Sequence, residues 1–534
     1  MVMKNQIQFK RFGTMIDCSR NAVMNVKTLK KWIDLTKDLG YNTLCLYMED
    51  TYEVADEPYF GYLRGRYSKE ELKEIDGYAK KCGMELIPCV QTLAHLNQIF
   101  RWPKYRSYND TDDILLIDNE DVYTLIDRCF QTLAECLSTK TINIGMDEAF
   151  MMGRGRYFNL HGNADRAELF LRHLNRVAAL GEKYGFTMLM WSDMFFNLLD
   201  EKADNFAEVQ AKIPNSVKLV YWDYYSTEKK NYDEKITKNQ RLCKDAWFAG
   251  GLWSWTGFAP HNVYSMETAK AAFESCIEHG VSSVFLTLWG DNGGECSRFA
   301  LLPSLFYASE LAKGNHEESL IKAKFQEKYG IAFDDFMWVD LPVSSYNGKE
   351  RTCNPDKYIL YNDPLAGIMD SAIWDSCEEE YAQCAQNLTK LAEHSDFGFL
   401  FKTLKALCEV LAVKGALGIQ TRAAYKAGDK KALQALLCRY EEVVEKTEAF
   451  YRSFRAQWYL ENKPHGFNVQ DVRIGGVIMR LKNGKALLEE YLDGKKNKIE
   501  ELEEELLNCA DFEVEPKKAV TFARWDETTS VCKF

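Results

Sequence analysis

The sequence has 534 residues, of which 46% are hydrophobic, and its formal net charge is -12. A chain of this length is predicted to form two domains. The acidic balance, without a Lys/Arg stripe between aromatic residues, excludes nucleic acid as a partner, and no apolar run approaches the ~18 residues of a membrane span, so no membrane partner is expected either.

Eight apolar runs of strand length follow one another in roughly the first 300 residues. Four of them come directly after a glycine that ends a helix-period segment, and such a glycine suits the left-handed position at a helix C-terminus. In chain order the runs lie at 12–17, in DLGYNTLCLYM from residue 38, in KCGMELIPCVQ from 81, at 141–147, in KYGFTMLMWSD from 183, at 217–224, at about 247–253 and in EHGVSSVFLTLW from 278.

Helical signals separate these runs; Ser68 with Glu71, for example, forms a capping box. Eight strands that alternate with helices predict a (β/α)8 TIM barrel, within the α/β class, over residues 1–335. Runs that are apolar on both faces suit parallel strands. A doubly wound sheet is the alternative, but no glycine-rich phosphate turn follows the first strand.

The character of the chain changes after about residue 335. No proline occurs between Pro364 and Pro464, and long amphipathic stretches appear, such as KKALQALLCRYEEVVEKTEAFYRSF. These stretches predict a mainly α-helical C-terminal domain over residues 336–534. Its charged runs are most simply solvated helix faces, with homodimer contacts or shielding of the active site as the minority alternatives.

The sixteen cysteines are scattered and include no C-x-x-C pair. The N-terminal stretch MVMKNQIQFKRF carries no apolar signal region. This pattern predicts free thiols and a cytoplasmic protein.

Polar and aromatic residues collect where the predicted strands end, which is the active-site face of a TIM barrel. Carboxylates that alternate with tryptophans suit a sugar, because its hydroxyls need acceptors and its C–H face packs on indole. In chain order these residues are Asp17, Ser19, Arg20, Glu49, Asp50, Gln91, His95, Asp147, Glu148, Trp191, Asp193, Asp223, Tyr225, Trp253, Trp255, Trp289, Asp291 and Asn292.

The adjacent pair Asp147 and Glu148 is the strongest signal among them. A structural ion pair accounts for one carboxylate at the mouth of a core strand but hardly for two, whereas a single tryptophan or histidine is often structural. The eight histidines show no zinc spacing, so no metal and no cofactor is expected. A magnesium site made by Asp147, Glu148, Asp193 and Asp223 is left as an alternative.

The stretch INIGMDEAF resembles the strand-four signature of glycoside hydrolase family 20, the β-N-acetylhexosaminidases. The segments MIDCSRN, MWSDMF, YWDYY and LTLWGDN and the position of His95 match the same family in order, over about residues 10–310. The small front domain of many members is missing. The chain therefore looks like the compact intracellular branch that carries a helical C-terminal domain.

This resemblance implies substrate-assisted catalysis, in which the 2-acetamido oxygen of the sugar is the nucleophile. Glu148 would be the general acid and base. Asp147 would stay ionised, orient the acetamido group, stabilise the oxazolinium ion and raise the pKa of Glu148. Tyr225 is favoured over Tyr221 as the donor to the acetamido oxygen because it lies nearer the end of the strand.

The resemblance also implies a set of substrate-binding residues. The family's strand-one arginine is replaced by Phe12, with Arg11 beside it, and Arg20 or Asp50 is the candidate substitute. The choice between GlcNAc and GalNAc therefore stays open. The predicted substrate-binding residues are Arg20, His95, Trp191, Asp223, Trp253, Trp289 and Asp291.

The sequence thus predicts an exo-acting, retaining β-N-acetylhexosaminidase that removes a terminal GlcNAc or GalNAc from a small glycoside or oligosaccharide. Three alternatives remain. They are a glycosidase with a protein nucleophile, a metal-dependent sugar isomerase or aldolase on the same barrel, and a sugar-binding protein without activity.

Overall fold

A computed structural model describes residues 6–199, 211–344 and 353–507 of the chain. The chain divides into two compact units, which are described separately below. The first comprises Met1–Leu252, Ser265–Trp289 and Ser304–Ile321, and the second Trp253–Tyr264, Gly290–Pro303 and Lys322–Phe534. The predicted domain boundary after residue 335 stays a prediction.

The first unit contains a closed barrel of eight parallel strands, so the predicted (β/α)8 class is confirmed. Each strand lies at one of the eight predicted runs. The strands are β1 (Arg11–Asp17), β2 (Thr43–Tyr47), β3 (Glu85–Cys89), β4 (Thr141–Asn143), β5 (Thr187–Trp191), β6 (Val217–Trp222), β7 (Trp247–Gly251) and β8 (Ser283–Leu288).

Each strand of the barrel pairs with its sequence neighbours, and β1 closes the ring against β8. The register of β1 runs from Arg11 opposite Ser283 to Ile16 opposite Leu288. Apolar side chains from seven of the strands fill the barrel interior, as the continuous apolar runs predict, and the buried Asn143 of β4 pairs in register with the core residues Cys89 and Leu189. The buried residues of this core are Met15, Cys45, Tyr47, Ile87, Cys89, Leu189, Trp191, Val220, Trp247, Ala249 and Phe285.

The four predicted helix-to-strand joints are confirmed by their glycines. Gly40, Gly83, Gly185 and Gly280 have φ angles of 98°, 73°, 73° and 67°, a region that suits glycine because it has no Cβ atom. The capping box at Ser68 is also present. Local chemistry therefore sets where these strands begin.

Helices connect the strands of the barrel. A short hairpin, Asn109–Thr111 with Ile114–Leu115, lies in the long connection after β3. The helices up to β8 are Val26–Leu39, Lys69–Lys81, Asn97–Phe100, Glu120–Cys136, Arg156–His161, Arg166–Lys183, Asp193–Leu199, Lys229–Leu242 and Asn262–Glu278, with a 3-10 turn at Pro103–Tyr108.

The C-terminal region is mainly helical, as predicted. Its long helices pack around an apolar core that includes Leu365, Leu433, Tyr440 and Leu481. The helices after β8 are Leu302–Ala312, Glu318–Tyr329, Phe333–Phe336, Leu341–Ser344, Pro355–Tyr361, Cys377–Thr389, Gly398–Lys414, Leu417–Lys426, Lys430–Glu461, Phe467–Leu492 and Glu500–Glu503, with 3-10 turns at Asp291–Gly293, Arg298–Leu301, Met337–Asp340 and Asp370–Ala372. Within the described residues, no helix has both the length and the apolar character that crossing a membrane requires.

Glu461 gives the second unit a pH-dependent stability. Its buried carboxyl group accepts a hydrogen bond from the Ser297 hydroxyl, and burial raises its pKa to about 7. The folded protein therefore keeps this proton between pH 4.5 and 7, where the unfolded chain loses it. The free energy of unfolding should fall over this window by as much as about 1.4 kcal/mol per pH unit from this group.

Replacing Glu461 with glutamine should remove this contribution, because the amide cannot ionise but still offers an oxygen to Ser297. Urea unfolding at pH 5, 6 and 7 measures the slope. The exposed Glu445 on the same helix provides the control substitution Glu445→Gln. Equal slopes in wild type and Glu461→Gln would contradict the assignment.

Candidate active site

The adjacent carboxylates Asp147 and Glu148 lie on an irregular turn just after β4. Gly145, Met146 and Glu148 have positive φ angles of 72°, 69° and 52°. A Cβ atom at residue 145 would lie 2.1 Å from Oε1 of Gln91, so this position requires glycine. On this turn Asp147 is buried while the side chain of Glu148 is 45% exposed.

Asp147 is held as an anion by two side chains from the segment after β3. Gln91 Nε2 donates to Asp147 Oδ1 at 2.7 Å, and His95 Nε2 lies 3.2 Å from Asp147 Oδ2. Burial alone would raise the pKa of the Asp147 carboxyl, but His95 and Gln91 outweigh it and lower the pKa. The turn therefore presents one buried anion and one exposed carboxyl group.

His95 lies between the two carboxylates and a third acid. Its Nε2 atom is 3.7 Å from Glu148 Oε2 as well as 3.2 Å from Asp147. Its backbone N–H donates to Asp113 Oδ2 at 2.9 Å, which supports a positive φ of 59°. Burial would lower the pKa of His95, but the Asp147 anion raises it to about 9, so the imidazole is charged at neutral pH.

Arg20 lies at the mouth of the barrel, where the sequence predicts it. Its Nη1 atom is 3.4 Å from Asp17 Oδ2 and 3.4 Å from Glu49 Oε1. The guanidinium also lies over the rings of Tyr47 and Trp289, at 5.2 and 5.3 Å from their centroids. Burial raises the pKa of Glu49 to about 7, although Arg20 opposes this shift.

Tyr47 connects the ion pair of Arg20 and Glu49 to the carboxylate pair of Asp147 and Glu148. Its hydroxyl donates to Glu49 Oε1 at 3.1 Å and accepts from Gln91 Nε2 at 2.8 Å. The same Gln91 amide donates to Asp147. Residues at or just after the C-terminal ends of β1, β2, β3 and β4 thus form one continuous polar network.

The structure separates the candidates for the missing strand-one arginine. Arg11, the first residue of β1, pairs with Glu85 at the opposite end of the barrel, and Phe12 is buried. Asp50 is paired with Arg64 at 3.2 Å. Arg20 lies beside Asp17 and Glu49, and the choice between Arg20 and Asp50 as the substitute stays a prediction.

Arg64 and Asp113 are site residues that sequence reasoning missed. Arg64 donates to Asp50 Oδ1 and to the carbonyl oxygen of Ser19. Both residues lie in long connections, where no apolar period marks a position. No local signal in the sequence could have placed them beside His95 or Arg20.

Trp191 and Trp289 lie together at the ends of β5 and β8, with ring centroids 6.3 Å apart. Asp193 follows Trp191 and begins a helix; its Oδ2 atom accepts the backbone N–H of Glu148 at 2.9 Å. Burial, followed by the charge of Asp147, raises the pKa of Asp193 to about 7. Asp193 therefore supports the turn that carries the carboxylate pair.

The carboxylate of Asp223, which follows β6, forms hydrogen bonds and an ion pair with neighbouring residues. The Tyr221 hydroxyl donates to Asp223 Oδ2 at 2.8 Å, Lys235 Nζ lies 3.0 Å from the same atom, and the backbone N–H of Tyr225 donates to Asp223 Oδ1 at 3.0 Å. Tyr225 is 51% exposed. A cavity of about 690 Å³ opens beside these residues, lined by Asp193, Tyr221, Trp222, Asp223, Tyr225 and Lys235 among others.

Tyr224 lies beside the site, although the two-residue period of the strand did not select this residue. The strand ends at Trp222, so the alternation that groups Tyr221, Asp223 and Tyr225 is interrupted there. Tyr224 is buried and hydrogen-bonds to the side chains of Trp289 and Thr287.

Trp253 and Asp291 belong to the second unit and are described with it. Trp253 is fully buried and stacks on Trp255 with centroids 4.2 Å apart. Asp291 begins a 3-10 turn. Their predicted substrate contacts stay predictions.

His95, Asp147 and Glu148 can each offer one ligand atom to a cation, and these atoms lie within 4.8 Å of one another. This set differs from the predicted magnesium alternative. Asp193 accepts the Glu148 N–H, and Asp223 pairs with Lys235. A ligating imidazole must be neutral, so a cation bound here would displace the proton that the Asp147 anion holds on His95.

Comparison with known proteins relates the chain to one family. A model described as the glycosyl hydrolase family 20 catalytic domain matches residues 9–241, and a model described as the glycoside hydrolase 20C C-terminal domain matches residues 333–521. Hexosaminidase D from Bos taurus is 27% identical over 227 residues, 38% of this chain and 60% of the relative. Hexosaminidase D from Homo sapiens is 27% identical over 228 residues, 38% of this chain and 43% of the relative.

The chain thus spans less than two thirds of these two relatives. Among solved structures, an exo β-N-acetylglucosaminidase from Vibrio harveyi is 15% identical with a TM-score of 0.48, covering 63% of this chain and 59% of its own. A β-N-acetylhexosaminidase from Bacteroides fragilis is 16% identical with a TM-score of 0.48, covering 62% and 72%. Because the catalytic and C-terminal models both match and together cover most of the sequence, the chain belongs to glycoside hydrolase family 20.

Proposed function

We propose that the protein is an exo-acting, retaining β-N-acetylhexosaminidase that cleaves a terminal GlcNAc or GalNAc by substrate-assisted catalysis. The observation that carries this proposal is the turn after β4. It combines a buried Asp147 anion, held by His95 and Gln91, with an exposed Glu148 carboxyl group. The two groups fit the two tasks that remain when the substrate supplies the nucleophile.

In the first step the acetamido carbonyl oxygen attacks the anomeric carbon. Glu148 gives its proton to the glycosidic oxygen, the glycosidic bond breaks, and the aglycone leaves as an alcohol. Asp147 accepts a hydrogen bond from the acetamido N–H and stabilises the positive oxazolinium ring. In the second step the Glu148 carboxylate takes a proton from the water that attacks the anomeric carbon. The bond between that carbon and the acetamido oxygen breaks, the acetamido group is restored, and the sugar leaves with retained configuration.

The remaining side chains bind and orient the sugar in this proposal. Trp289 packs on its ring, supported from behind by Trp191, which is buried in the barrel core, and Arg20 binds hydroxyls. His95 holds the Asp147 anion, and the half-exposed Tyr225 donates to the acetamido oxygen. Asp223 belongs to the same substrate-binding set, and the substrate contacts of Trp253 and Asp291 stay predictions of the sequence.

We also propose a cytoplasmic location and a small glycoside or oligosaccharide as the substrate. The fourteen cysteines that the structure describes are all free thiols, which suits a reducing compartment. Homodimerisation stays a prediction, and sedimentation at several protein concentrations measures it.

Hydrolysis of matched 4-nitrophenyl β-glycosides tests the proposal. The GlcNAc or GalNAc glycoside should react far faster than the glucose and galactose glycosides, because only the acetamido sugars carry the nucleophile. Comparable rates on the β-glucoside would instead favour a protein nucleophile. Tight sugar binding without turnover would favour a sugar-binding protein.

A metal-dependent isomerase or aldolase is the second candidate, since His95, Asp147 and Glu148 converge within 4.8 Å. Pre-incubation with EDTA separates it from the proposed hydrolase. We expect the hydrolysis rate to be unchanged by the chelator. A loss that added Mg²⁺ or Zn²⁺ restores would show that hydrolysis needs a metal ion. Chelator-sensitive activity on a free sugar, without hydrolysis of any glycoside, would favour the isomerase or aldolase.

We expect two ionisations near pH 7 in the pH profile of kcat/KM. They belong to the buried carboxyls of Asp193 and Glu49, whose pKa values are both raised by burial to about 7. Asp193→Asn should remove one of them, because the amide keeps an oxygen for the Glu148 N–H but cannot ionise. Glu49→Gln, the matched variant, should remove the other. A profile that both variants leave unchanged would contradict these assignments.

A further inference from the structure

Three aromatic side chains form an exposed cluster on the catalytic face of the barrel. The ring centroids of Tyr59 and Tyr62 are each 5.4 Å from Trp102 and 6.1 Å from each other. Tyr59 is 45% exposed and Tyr62 43% exposed, and Trp102 is partly exposed. We call these three residues the aromatic cluster.

The cluster is carried by the two connections that also carry the site. Tyr59 and Tyr62 lie in the connection after β2, which holds Glu49 and Arg64, and Trp102 lies in the connection after β3. Both connections leave the C-terminal ends of their strands. The cluster is therefore on the same end of the barrel as the carboxylate pair.

Short contacts fix the connection after β2 against the site. Arg64, two positions beyond Tyr62, donates to Asp50 and to the carbonyl oxygen of Ser19. A Cβ atom on Gly61 would lie 2.1 Å from the Asp50 carbonyl oxygen, so the loop is packed directly on that backbone. The two tyrosines are thus presented from a constrained segment.

Phe60 separates the buried side of this segment from its exposed side. It is 2% exposed and packs on Tyr52, with centroids 5.3 Å apart. Phe60 therefore anchors the loop, whereas the tyrosines on either side of it leave much of their ring surface in solvent. Contiguous exposed aromatic surface of this kind marks a binding region rather than a core.

The position of the cluster indicates which ligand it meets. Glu148 delivers its proton to the bond that joins the sugar to the aglycone, and His95, at 3.7 Å from Glu148, lies in the same connection as Trp102. In the proposed reaction the aglycone is the group that Glu148 protonates, and the side chain of Glu148 is 45% exposed. Aromatic faces with tyrosine hydroxyls suit the C–H face and the hydroxyls of a further sugar.

We propose that the aromatic cluster of Tyr59, Tyr62 and Trp102 binds a sugar residue of the aglycone, so that the substrates are oligosaccharides. This inference rests on the proposed function, since it concerns the leaving group of that reaction. The occupant is a neutral saccharide joined to the terminal acetamido sugar.

The test compares two substrates that share a terminal sugar. One is the 4-nitrophenyl glycoside that the wild type cleaves, and the other is a β-linked trisaccharide with the same sugar at its non-reducing end. In Trp102→Ala the ratio of kcat/KM for the trisaccharide to that for the aryl glycoside should fall about 3- to 10-fold. The double variant Tyr59→Ala with Tyr62→Ala should behave alike and replaces Trp102→Ala if the latter does not fold.

Tyr184 provides the matched control. It directly precedes β5 at the opposite end of the barrel, where its hydroxyl bonds to Asp127 at 2.9 Å. Tyr184→Ala should leave the ratio unchanged. An unchanged ratio in the cluster variants, or an equal loss on both substrates, would overturn the inference.

A wild type that cleaves neither substrate would refute the proposed function rather than the cluster. Calorimetric titration of wild type and Trp102→Ala with the trisaccharide then tests the cluster alone. Weaker binding by the variant supports it, and equal binding overturns it.

Discussion

Replacing Glu148 with glutamine is expected to lower kcat/KM for an unactivated disaccharide by about 10²- to 10⁴-fold, the usual cost of losing a general acid. The exposed carboxyl group of Glu148 is the proposed proton donor to the leaving oxygen. A 2,4-dinitrophenyl glycoside, whose leaving group needs little protonation, should be spared at the cleavage step. Pre-steady-state release of the phenol measures that step directly.

The leaving-group dependence is the diagnostic result for Glu148. Glu234, an exposed glutamate on the helix Lys229–Leu242, provides the control Glu234→Gln, which should leave both substrates unaffected. If Glu148→Gln lost the same factor on activated and unactivated substrates while cleavage limits the rate, the acid assignment would be wrong.

Replacing Asp147 with asparagine is expected to lower kcat/KM by about 10²- to 10³-fold whatever the leaving group is. The amide lacks the charge that stabilises the oxazolinium ring and can present its N–H₂ to the acetamido N–H. A loss confined to poor leaving groups would contradict the role proposed for Asp147.

The same substitution should change the ionisation of His95. The Asp147 anion raises the pKa of His95 to about 9, so its removal should lower that pKa. Because the folded-state pKa lies above the unfolded value of about 6.5, the pair stabilises the fold fully below pH 6.5, and this stabilisation is lost as the pH rises through 9. Urea unfolding at pH 6, 7.5 and 9 should show a smaller decline in Asp147→Asn than in wild type.

The barrel could be predicted because its signals are local. Each strand is an apolar run, and glycines such as Gly40 and Gly185 mark where a helix ends ahead of a strand. The Asp147–Glu148 pair could also be located, because the C-terminal ends of barrel strands share one face. The irregular backbone of the turn that carries the two carboxylates could not be predicted from the sequence.

The rest of the site depends on long connections between elements and on places where the two-residue period of a strand stops. Arg64 and Asp113 reach the site from segments without periodicity. The two-residue period selected Tyr225 and passed over Tyr224, because it assumes a strand that continues beyond Trp222. The charge of His95 depends on Asp147, a residue far from it in sequence.

The turn after β4 limits how this chemistry can be transferred to another scaffold. Asp147 and Glu148 both lie within 3.7 Å of His95 Nε2, on a turn where Gly145 and Met146 take positive φ angles and Gln91 fills the space where a side chain at position 145 would lie. A designer who grafts the dipeptide alone onto the end of a regular strand obtains two carboxylates on opposite faces of that strand. The portable unit is the glycine turn together with its glutamine, so the minimum graft draws on two strands rather than one.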